Sequence, residues 1–146
     1  MNTTTLAEEL ISLRAELNHQ QAGEALTELS GGEYFALTLL LRRENAAYPS
    51  ELSRAMRVST ARVAAMLRHL EGRGWIVREH DREDERRVSV RLTDAGRTLI
   101  QERRSAALAC VAEMLSALEP EEAREYLRLK RKLLTAAQQA RRTEKN

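Results

Sequence analysis

The feature that most constrains the fold is a pair of short helical segments with almost no chain between them, followed by two strand-like segments. Pro49 suits the first position of a helix, and SELSRAMR after it has helical apolar spacing. Val58 and Ser59 leave room only for a tight connection. Ser59 is also a favourable N-cap for TARVAAMLRHLEGR, which ends near Gly72 or Gly74. The pattern predicts a helix-turn-helix.

A β-hairpin is predicted directly after this pair. WIVRE, residues 75–79, reads as one strand and RVSVRL, residues 87–92, as the other. Val88, Val90 and Leu92 alternate with polar residues, which is typical of a half-buried strand. Residues 80–86 form the tip. The sequence therefore predicts a helix-turn-helix with a β-hairpin wing.

The wing is unusually charged, because residues 78–93 hold five arginines and five acids. A tight hairpin cannot bury such a tip, so the tip is either solvated or bound to a polyanion. Acids would repel DNA, but Asp81 or Asp84 could hold an arginine in a fixed pose. Arg86 is then the candidate to enter a narrow minor groove, and Arg87 the candidate phosphate contact. The alternative is an internal salt-bridge cluster that only stiffens the hairpin.

The helix at 59–73 has two different faces. At 100° per residue, Val63, Leu67 and Leu70 share a core stripe. The opposite face holds Ala61, Ala65 and Arg68, flanked by Arg62 and His69. Small residues allow close approach to a surface, and arginine can bond phosphate or guanine. An ordinary amphipathic surface helix is the alternative.

Charge distribution points the same way, although the net charge is only +2. Between Arg54 and Arg78 there are six arginines and one acid, Glu71. Such a patch is typical of phosphate-binding surfaces, and an ordinary solvated surface is the competing interpretation. The single cysteine, Cys110, fits a reducing cytoplasm. With no long apolar run and no signal peptide, we expect a cytoplasmic protein without a membrane segment.

The flanking segments predict further helices over 6–22, 30–44, 93–118 and 120–141. Ser30 and Glu33 fit a capping box for the second of these, and Thr93 fits a cap for the third. The fold class is mainly α with a small β-hairpin wing. The first helix and the last two carry more apolar surface than one small lobe covers, which predicts a homodimer. Two-fold symmetry would then predict an inverted-repeat DNA site.

The stretch from ELSRAMRVS through L-x-x-L-E-x-x-G, D-x-x-D-x-R-R and L-T-x-x-G resembles the winged helix-turn-helix of the MarR family of bacterial transcriptional regulators. Close resemblance covers Glu51 to Gly96. It implies one MarR-like domain over 1–146, with a DNA-binding lobe at 30–92 and a helical dimerisation region at 6–22 and 93–141. It also implies a homodimer on double-stranded DNA, usually as a repressor.

The resemblance carries DNA-contacting roles over to two places. Along the recognition helix these are Ser59, Thr60, Ala61, Arg62, Ala65, Met66 and Arg68. In the wing, Arg86 matches the tip arginine, Asp84 matches the acid that commonly braces it, and Arg87 lies beside them. Many relatives have a basic residue at Glu85, Pro at Arg82 and a Ser/Thr cap at Tyr48. We therefore expect altered wing contacts and a less well capped start of the short helix.

Some family members release DNA when a small molecule binds. The implied pocket would be lined by Leu13, Leu17, Tyr34, Leu37 and Leu41, for which a core role is the stronger interpretation. Cys110 lies in the middle of the long helix, where we expect a packed thiol rather than an oxidant sensor.

The sequence holds no catalytic or metal-binding motif and implies no cofactor. Its three histidines lie on three separate elements, and the arginines of the wing tip disfavour a cation. We therefore predict a DNA-binding regulator rather than an enzyme. The alternative is a winged-helix protein-interaction module, which would have an apolar or acidic outer face on the helix at 59–73.

Overall fold

The structure is a computed structural model, and it describes residues 2–43 and 46–144. The chain divides into two compact units, Met1–Val111 and Ala112–Asn146. The elements in chain order are α1 (Thr3–Asn18), α2 (Gln21–Ser30), α3 (Gly32–Leu41), α4 (Pro49–Met56), α5 (Thr60–Gly72), β1 (Ile76–His80), β2 (Val88–Leu92), α6 (Asp94–Leu115) and α7 (Pro120–Thr143). This order confirms a mainly α fold with a two-stranded antiparallel wing.

The helix predicted over 6–22 is two helices. α1 ends at Asn18, and α2 starts at Gln21 after a break at His19 and Gln20. The corner is tight, because a Cβ added at Gly23 would lie 1.8 Å from the carbonyl oxygen of Leu17. Only glycine allows the backbones to approach so closely, so Gly23 permits the change of direction.

The predicted capping box at Ser30 and Glu33 is wrong. Ser30 is the last residue of α2, and its hydroxyl donates to the carbonyl of Thr27 at 3.1 Å. Gly31 is the N-cap of α3 and makes no side-chain cap bond. The two adjacent glycines interrupt the helix, since Gly32 has a φ of +62°. The helix predicted over 30–44 runs from Gly32 to Leu41, and positions 44 and 45 lie outside the described residues.

The core of the first unit lies between α3, α4, α5, the hairpin and the first half of α6. Its members are at most 9% exposed: Ala36, Leu37, Leu40, Ala47, Leu52, Val63, Leu67, Leu70, Ile76, Val90, Leu92 and Ile100. All of them are aliphatic, as the low aromatic content favours. Burying each large aliphatic side chain contributes about 1.5–3 kcal/mol before entropy is counted. This cluster fixes both the helix-turn-helix and the base of the wing.

The junction between the hairpin and α6 confirms the Thr93 cap. Thr93 Oγ1 accepts from the Gly96 N–H at 3.1 Å and donates to the Gly74 carbonyl at 2.6 Å. A Cβ added at Gly96 would lie 1.9 Å from the carbonyl oxygen of Trp75. α6 therefore starts in contact with the chain that enters β1.

The last two helices differ slightly from their predicted bounds. α6 ends at Leu115 rather than 118, and a short turn precedes Glu119. α7 begins at Pro120 behind a capping box formed by Glu119 and Glu122, and extends to Thr143. Glutamate is an uncommon N-cap, and the box uses two residues that the sequence pattern did not pair.

Neither α1 nor α7 contains a buried residue in the single chain. Large apolar side chains are exposed on both: Leu6, Leu10, Ile11 and Leu13 on α1, and Tyr126, Leu127, Leu129, Leu133 and Leu134 on α7. None of the described helices is long and apolar enough to cross a membrane.

Candidate nucleic-acid interface

The turn between α4 and α5 is held by a local hydrogen-bond network. Arg57 ends α4 in the left-handed region, with φ +57° and ψ +43°. Its N–H donates to the carbonyl of Ser53, whose hydroxyl donates to the carbonyl of Val58 at 2.7 Å. A non-glycine residue in this region is strained by a small amount, and these bonds compensate for it. The turn therefore sets the start of α5.

α5 has the two faces that its spacing predicts. Ser59 is the N-cap and accepts from the Arg62 N–H at 3.2 Å. Val63, Leu67 and Leu70 are buried, at 1%, 1% and 0% exposed. Thr60, Ala61, Arg62, Ala65 and Arg68 are exposed, while Met66 is partly buried and packs against the core. Of the seven carried-over positions, all but Met66 are therefore exposed, and Met66 lies at the edge of the outer face.

The outer face of α5 carries uncompensated positive charge. Within the described residues, no carboxylate lies at ion-pair distance from Arg62 or Arg68. His69 is close to the carboxylate of Glu33 on α3. Glu71, at the end of α5, faces Arg78 on β1 at 3.7 Å. Both of these pairs involve residues near the C-terminal end of α5, so its N-terminal half is free to meet an anion.

The base of the wing is continuous with the helix-turn-helix. β1 pairs with β2 in antiparallel register, with Arg78 opposite Val90. Ala47, just before α4, forms an isolated bridge to Val90 with two main-chain hydrogen bonds of 2.9 and 2.7 Å. The segment entering α4 therefore acts as a third strand at one position and ties the wing to the helix-turn-helix.

At the wing tip, the structure changes the role predicted for Asp84. Its carboxylate accepts from the Arg86 main-chain N–H at 3.0 Å, and its carbonyl accepts from the Arg87 N–H at 2.9 Å. Among the described residues, no ion pair joins it to the Arg86 guanidinium. Asp84 therefore shapes the turn that presents Arg86, while the Arg86 side chain is exposed. The bracing contact predicted for Asp84 is thus made with the Arg86 main chain, and the DNA-binding role of both residues stays a prediction.

Asp81 has a different partner, which sequence reasoning missed. The hydroxyl of Tyr48 donates to one carboxylate oxygen of Asp81, and the Glu83 N–H donates to the other at 3.0 Å. The Arg87 guanidinium carbon lies 3.6 Å from the centroid of the Tyr48 ring. The bond to Tyr48, with the Glu83 N–H adding to it, lowers the pKa of Asp81 below its usual 3.8. The same bond raises the pKa of Tyr48 above 10.0.

The prediction that Tyr48 caps α4 less well is confirmed, because its side chain makes no cap bond at the start of that helix. Its side chain reaches the wing instead. The contact with Asp81 spans 33 positions, so no local pattern could have indicated it. Asp81 did carry a local signal, since an aspartate that accepts an N–H two residues later is typical of turns.

The five predicted effector-lining residues differ widely in burial. Leu37 is fully buried, Tyr34 and Leu41 pack against the same core, and Leu13 is 56% exposed. Leu17 is partly buried on α1. An open apolar cavity of about 270 Å³, with none of these five in its lining, lies between α2 and α6 and is lined by Ala25, Leu26, Leu29, Ser30, Arg104, Ala107, Leu108 and Val111. The effector site stays a prediction. Cys110 is partly buried, as a packed thiol would be.

The fold and this surface define a class of protein: a winged helix-turn-helix with an exposed, arginine-bearing recognition helix. A sequence model of the MarR family matches residues 29–88. The chain is 33% identical over 107 residues to the transcriptional repressor MprA of Escherichia coli K12, which is 73% of this chain and 61% of that relative. It thus spans between half and about three fifths of the length of the curated relatives it matches.

Solved structures agree. A MarR family protein from Bacillus stearothermophilus superposes with a TM-score of 0.71 and 28% identity, over 94% of this chain and 99% of that one. A point mutant of MepR from Staphylococcus aureus, solved bound to an oligodeoxyribonucleotide, shares the fold with a TM-score of 0.58 at 21% identity, over 94% and 99%. The chain belongs to the MarR family.

Proposed function

We propose that this protein is a sequence-specific DNA-binding transcriptional regulator, and not an enzyme, that binds an inverted-repeat operator as a homodimer and acts as a repressor. The observation that carries the proposal is the outer face of α5, where Arg62 and Arg68 are exposed without a described carboxylate partner. That surface is neither the apolar nor the acidic face that a protein-interaction module would have.

The recognition helix α5 fits a major groove in shape and charge. Ala61 and Ala65 are exposed on the same outer part of the helix as the two arginines, and their small side chains allow close approach to a surface. An α-helix enters a major groove when no bulky side chain prevents it, and arginine bonds guanine in bidentate fashion. The N-terminal turn adds N–H groups and the positive end of the helix dipole toward a phosphate.

The wing fits a second contact on the same duplex. Arg86 is exposed at the end of a hairpin whose base is fixed to the core through Val90. A narrow minor groove has an enhanced negative potential that attracts arginine. We assign Arg86 to that groove, and the Asp84 turn sets the direction in which its side chain leaves the backbone.

Two further observations support a homodimer and a repressor. The exposed leucines of α1 and α7 would be covered in a homodimer, which lowers the apolar area in contact with water. Two-fold symmetry would then place two recognition helices about one DNA turn apart, on an inverted repeat. The name of the relative MprA supports repression.

The test is a gel-shift titration against the protein's own upstream DNA at two salt concentrations, with a random duplex as competitor. Specific binding should survive the competitor and fall steeply with salt, since each neutralised phosphate contributes about 0.9 to the logarithmic salt slope. Footprinting should then show two protected half-sites. Binding that the competitor abolishes, or no binding at all, would contradict the proposal.

A charge-matched set of variants assigns the binding to α5. Arg62→Gln and Arg68→Gln should each weaken specific binding, whereas Arg97→Gln removes the same charge from an exposed position on α6 and should change little. Sedimentation equilibrium should give a dimer for all three variants. Equal losses in all three would mean that only net charge matters and would argue against groove reading.

A further inference from the structure

Three side chains connect the start of the helix-turn-helix to the far end of the wing. Tyr48 precedes α4, Asp81 follows β1, and Arg87 precedes β2. The Tyr48 hydroxyl donates to Asp81, and the Arg87 guanidinium carbon lies 3.6 Å from the centre of the Tyr48 ring. We call these three residues the wing latch.

The main chain places the latch residues together. The Asp81 N–H donates to the Arg87 carbonyl at 2.8 Å, so these two residues close the hairpin where the strands end. Two main-chain bonds between Ala47 and Val90 bring the next residue, Tyr48, alongside that closure. The Tyr48 side chain thereby reaches Asp81 and Arg87. Main-chain hydrogen bonds therefore fix the position of Asp81 relative to Arg87, and a separate pair of them fixes the position of Tyr48.

The chemistry of the latch is well matched. A phenol hydrogen bond to a carboxylate is charge-assisted, and a guanidinium stacked on an aromatic ring gains a cation–π attraction. Asp81 also has the Arg87 charge close enough to contribute to its lowered pKa. For the pKa of Tyr48, Asp81 and Glu51 act as negative neighbours and Arg87 as a positive one. The carboxylate thus holds the Tyr48 side chain, and the Tyr48 ring in turn stacks against the guanidinium.

We propose that the wing latch is a positioning device that fixes the wing to the start of α4 and so sets the pose from which Arg86 reaches DNA. Tyr48 and Asp81 touch no base or phosphate in this scheme. Arg87, predicted from the sequence as a phosphate contact, places one face of its guanidinium on Tyr48. The inference rests on the proposed DNA-binding function.

The latch makes a prediction whose sign differs from that of simple electrostatics. DNA carries about one negative charge per 1.7 Å of helix axis, so removing an acid near it should tighten binding. Asp81→Asn removes the charge, but the amide oxygen can still accept from the Glu83 N–H and keep the local turn. A positioning role predicts weaker binding, by about 3- to 10-fold, because the charge-assisted hydrogen bond from Tyr48 is lost.

The matched control is Glu83→Gln. Glu83 lies at the same exposed tip, loses the same charge, and uses only its main-chain N–H toward Asp81. The latch predicts equal or tighter DNA binding for this variant.

Tyr48→Phe tests the latch without a change of charge, because it removes only the hydroxyl and leaves the ring beneath Arg87. It should weaken binding about as much as Asp81→Asn.

The experiment is a gel-shift measurement of Kd for the operator duplex with wild type, Asp81→Asn, Tyr48→Phe, their double variant and Glu83→Gln. The latch predicts that the double variant is no weaker than either single one, because both remove one interaction. Fully additive losses, or tighter binding by Asp81→Asn, would overturn it. Circular dichroism at matched temperatures ensures that all five proteins are folded.

A second readout detects the latch without DNA. Ultraviolet absorbance reports phenolate formation by the three tyrosines, and Tyr48→Phe identifies the contribution of Tyr48. The wild-type transition should lie above the ordinary pKa, and Asp81→Asn should move it back down. An unchanged transition would overturn the latch itself. Wild type that binds no operator would instead disprove the proposed function, and the positioning role with it, whatever the titration shows.

Discussion

The recognition helix and the wing tip both present arginines to solvent, but different interactions hold the two elements in place. α5 is fixed by its buried side, where Val63, Leu67 and Leu70 are at most 1% exposed. The wing tip from Asp81 to Arg87 has no fully buried side chain. Hydrogen bonds that two aspartate carboxylates accept, one of them from the Tyr48 hydroxyl, give it its shape.

The difference has consequences for stability and for function. Apolar burial is non-directional and resists loss of any single polar contact, so α5 should tolerate changes on its outer face. Polar contacts at an exposed tip are directional and individually weak, so one lost partner should alter the pose of the tip without unfolding the protein. Stability measurements should therefore respond to the core of α5, and DNA affinity to the tip.

The largest expected effect on stability comes from Leu67→Ala. Leu67 is 1% exposed and packs in the core beneath α5. Removing a buried leucine side chain should lower the free energy of unfolding by about 2–5 kcal/mol, because transfer and cavity costs add. Urea unfolding checks this, with Leu108→Ala as the control, since Leu108 is 63% exposed on α6. Equal losses in the two variants would contradict the core assignment.

A second stability effect tests the junction at which the wing meets α6. Gly96→Ala would put a Cβ 1.9 Å from the Trp75 carbonyl oxygen, which the backbone must move to avoid. We expect a loss of about 1–3 kcal/mol from this overpacking, measured by thermal or urea unfolding. Gly72→Ala is the control, because nothing lies within 4 Å of its added Cβ and its φ is ordinary. Similar results for both would disprove the close contact.

The same contrast explains how much of the molecule could be predicted. The faces of α5 and the two strands, placed within one residue, follow from apolar periodicity, because burial selects residues at a fixed spacing. The capping box at Ser30 failed because a Gly-Gly pair outweighed a favourable polar pattern. Side-chain partners at the tip failed for another reason: Tyr48 and Asp81 meet only through tertiary structure.

Asp84 shows an intermediate case. Its role as an acid beside the wing arginine was predicted, but its carboxylate bonds the Arg86 main chain. Asp81 does the same to the N–H of Glu83. Two aspartates that each accept an N–H two residues later are a turn signature visible in the sequence. A charge-based interpretation of the tip concealed this local signal.

The largest expected effect on DNA binding comes from Arg86→Ala. The side chain is exposed at the tip and contributes little to the fold, so the dimer and the free energy of unfolding should stay unchanged. We expect operator affinity to fall by about 1–3 kcal/mol, as for a groove contact. Arg82→Ala removes the same charge from the same tip and is the control. Unchanged affinity in Arg86→Ala would disprove the groove role.

The smallest expected effect is at the first turn of α5, where a polar cap starts a helix that apolar burial holds in place. Ser59 accepts from the Arg62 N–H, so Ser59→Ala removes the cap while the buried stripe keeps the helix in place. The free energy of unfolding should fall by about 1 kcal/mol, and DNA affinity should fall because the helix end that faces the duplex frays. Ser59→Asp restores a cap but adds a negative charge. It should recover stability without recovering affinity, as measured by urea unfolding and gel shift on the same samples. Recovery of both, or of neither, would mean that the cap and the DNA contact at this position cannot be separated.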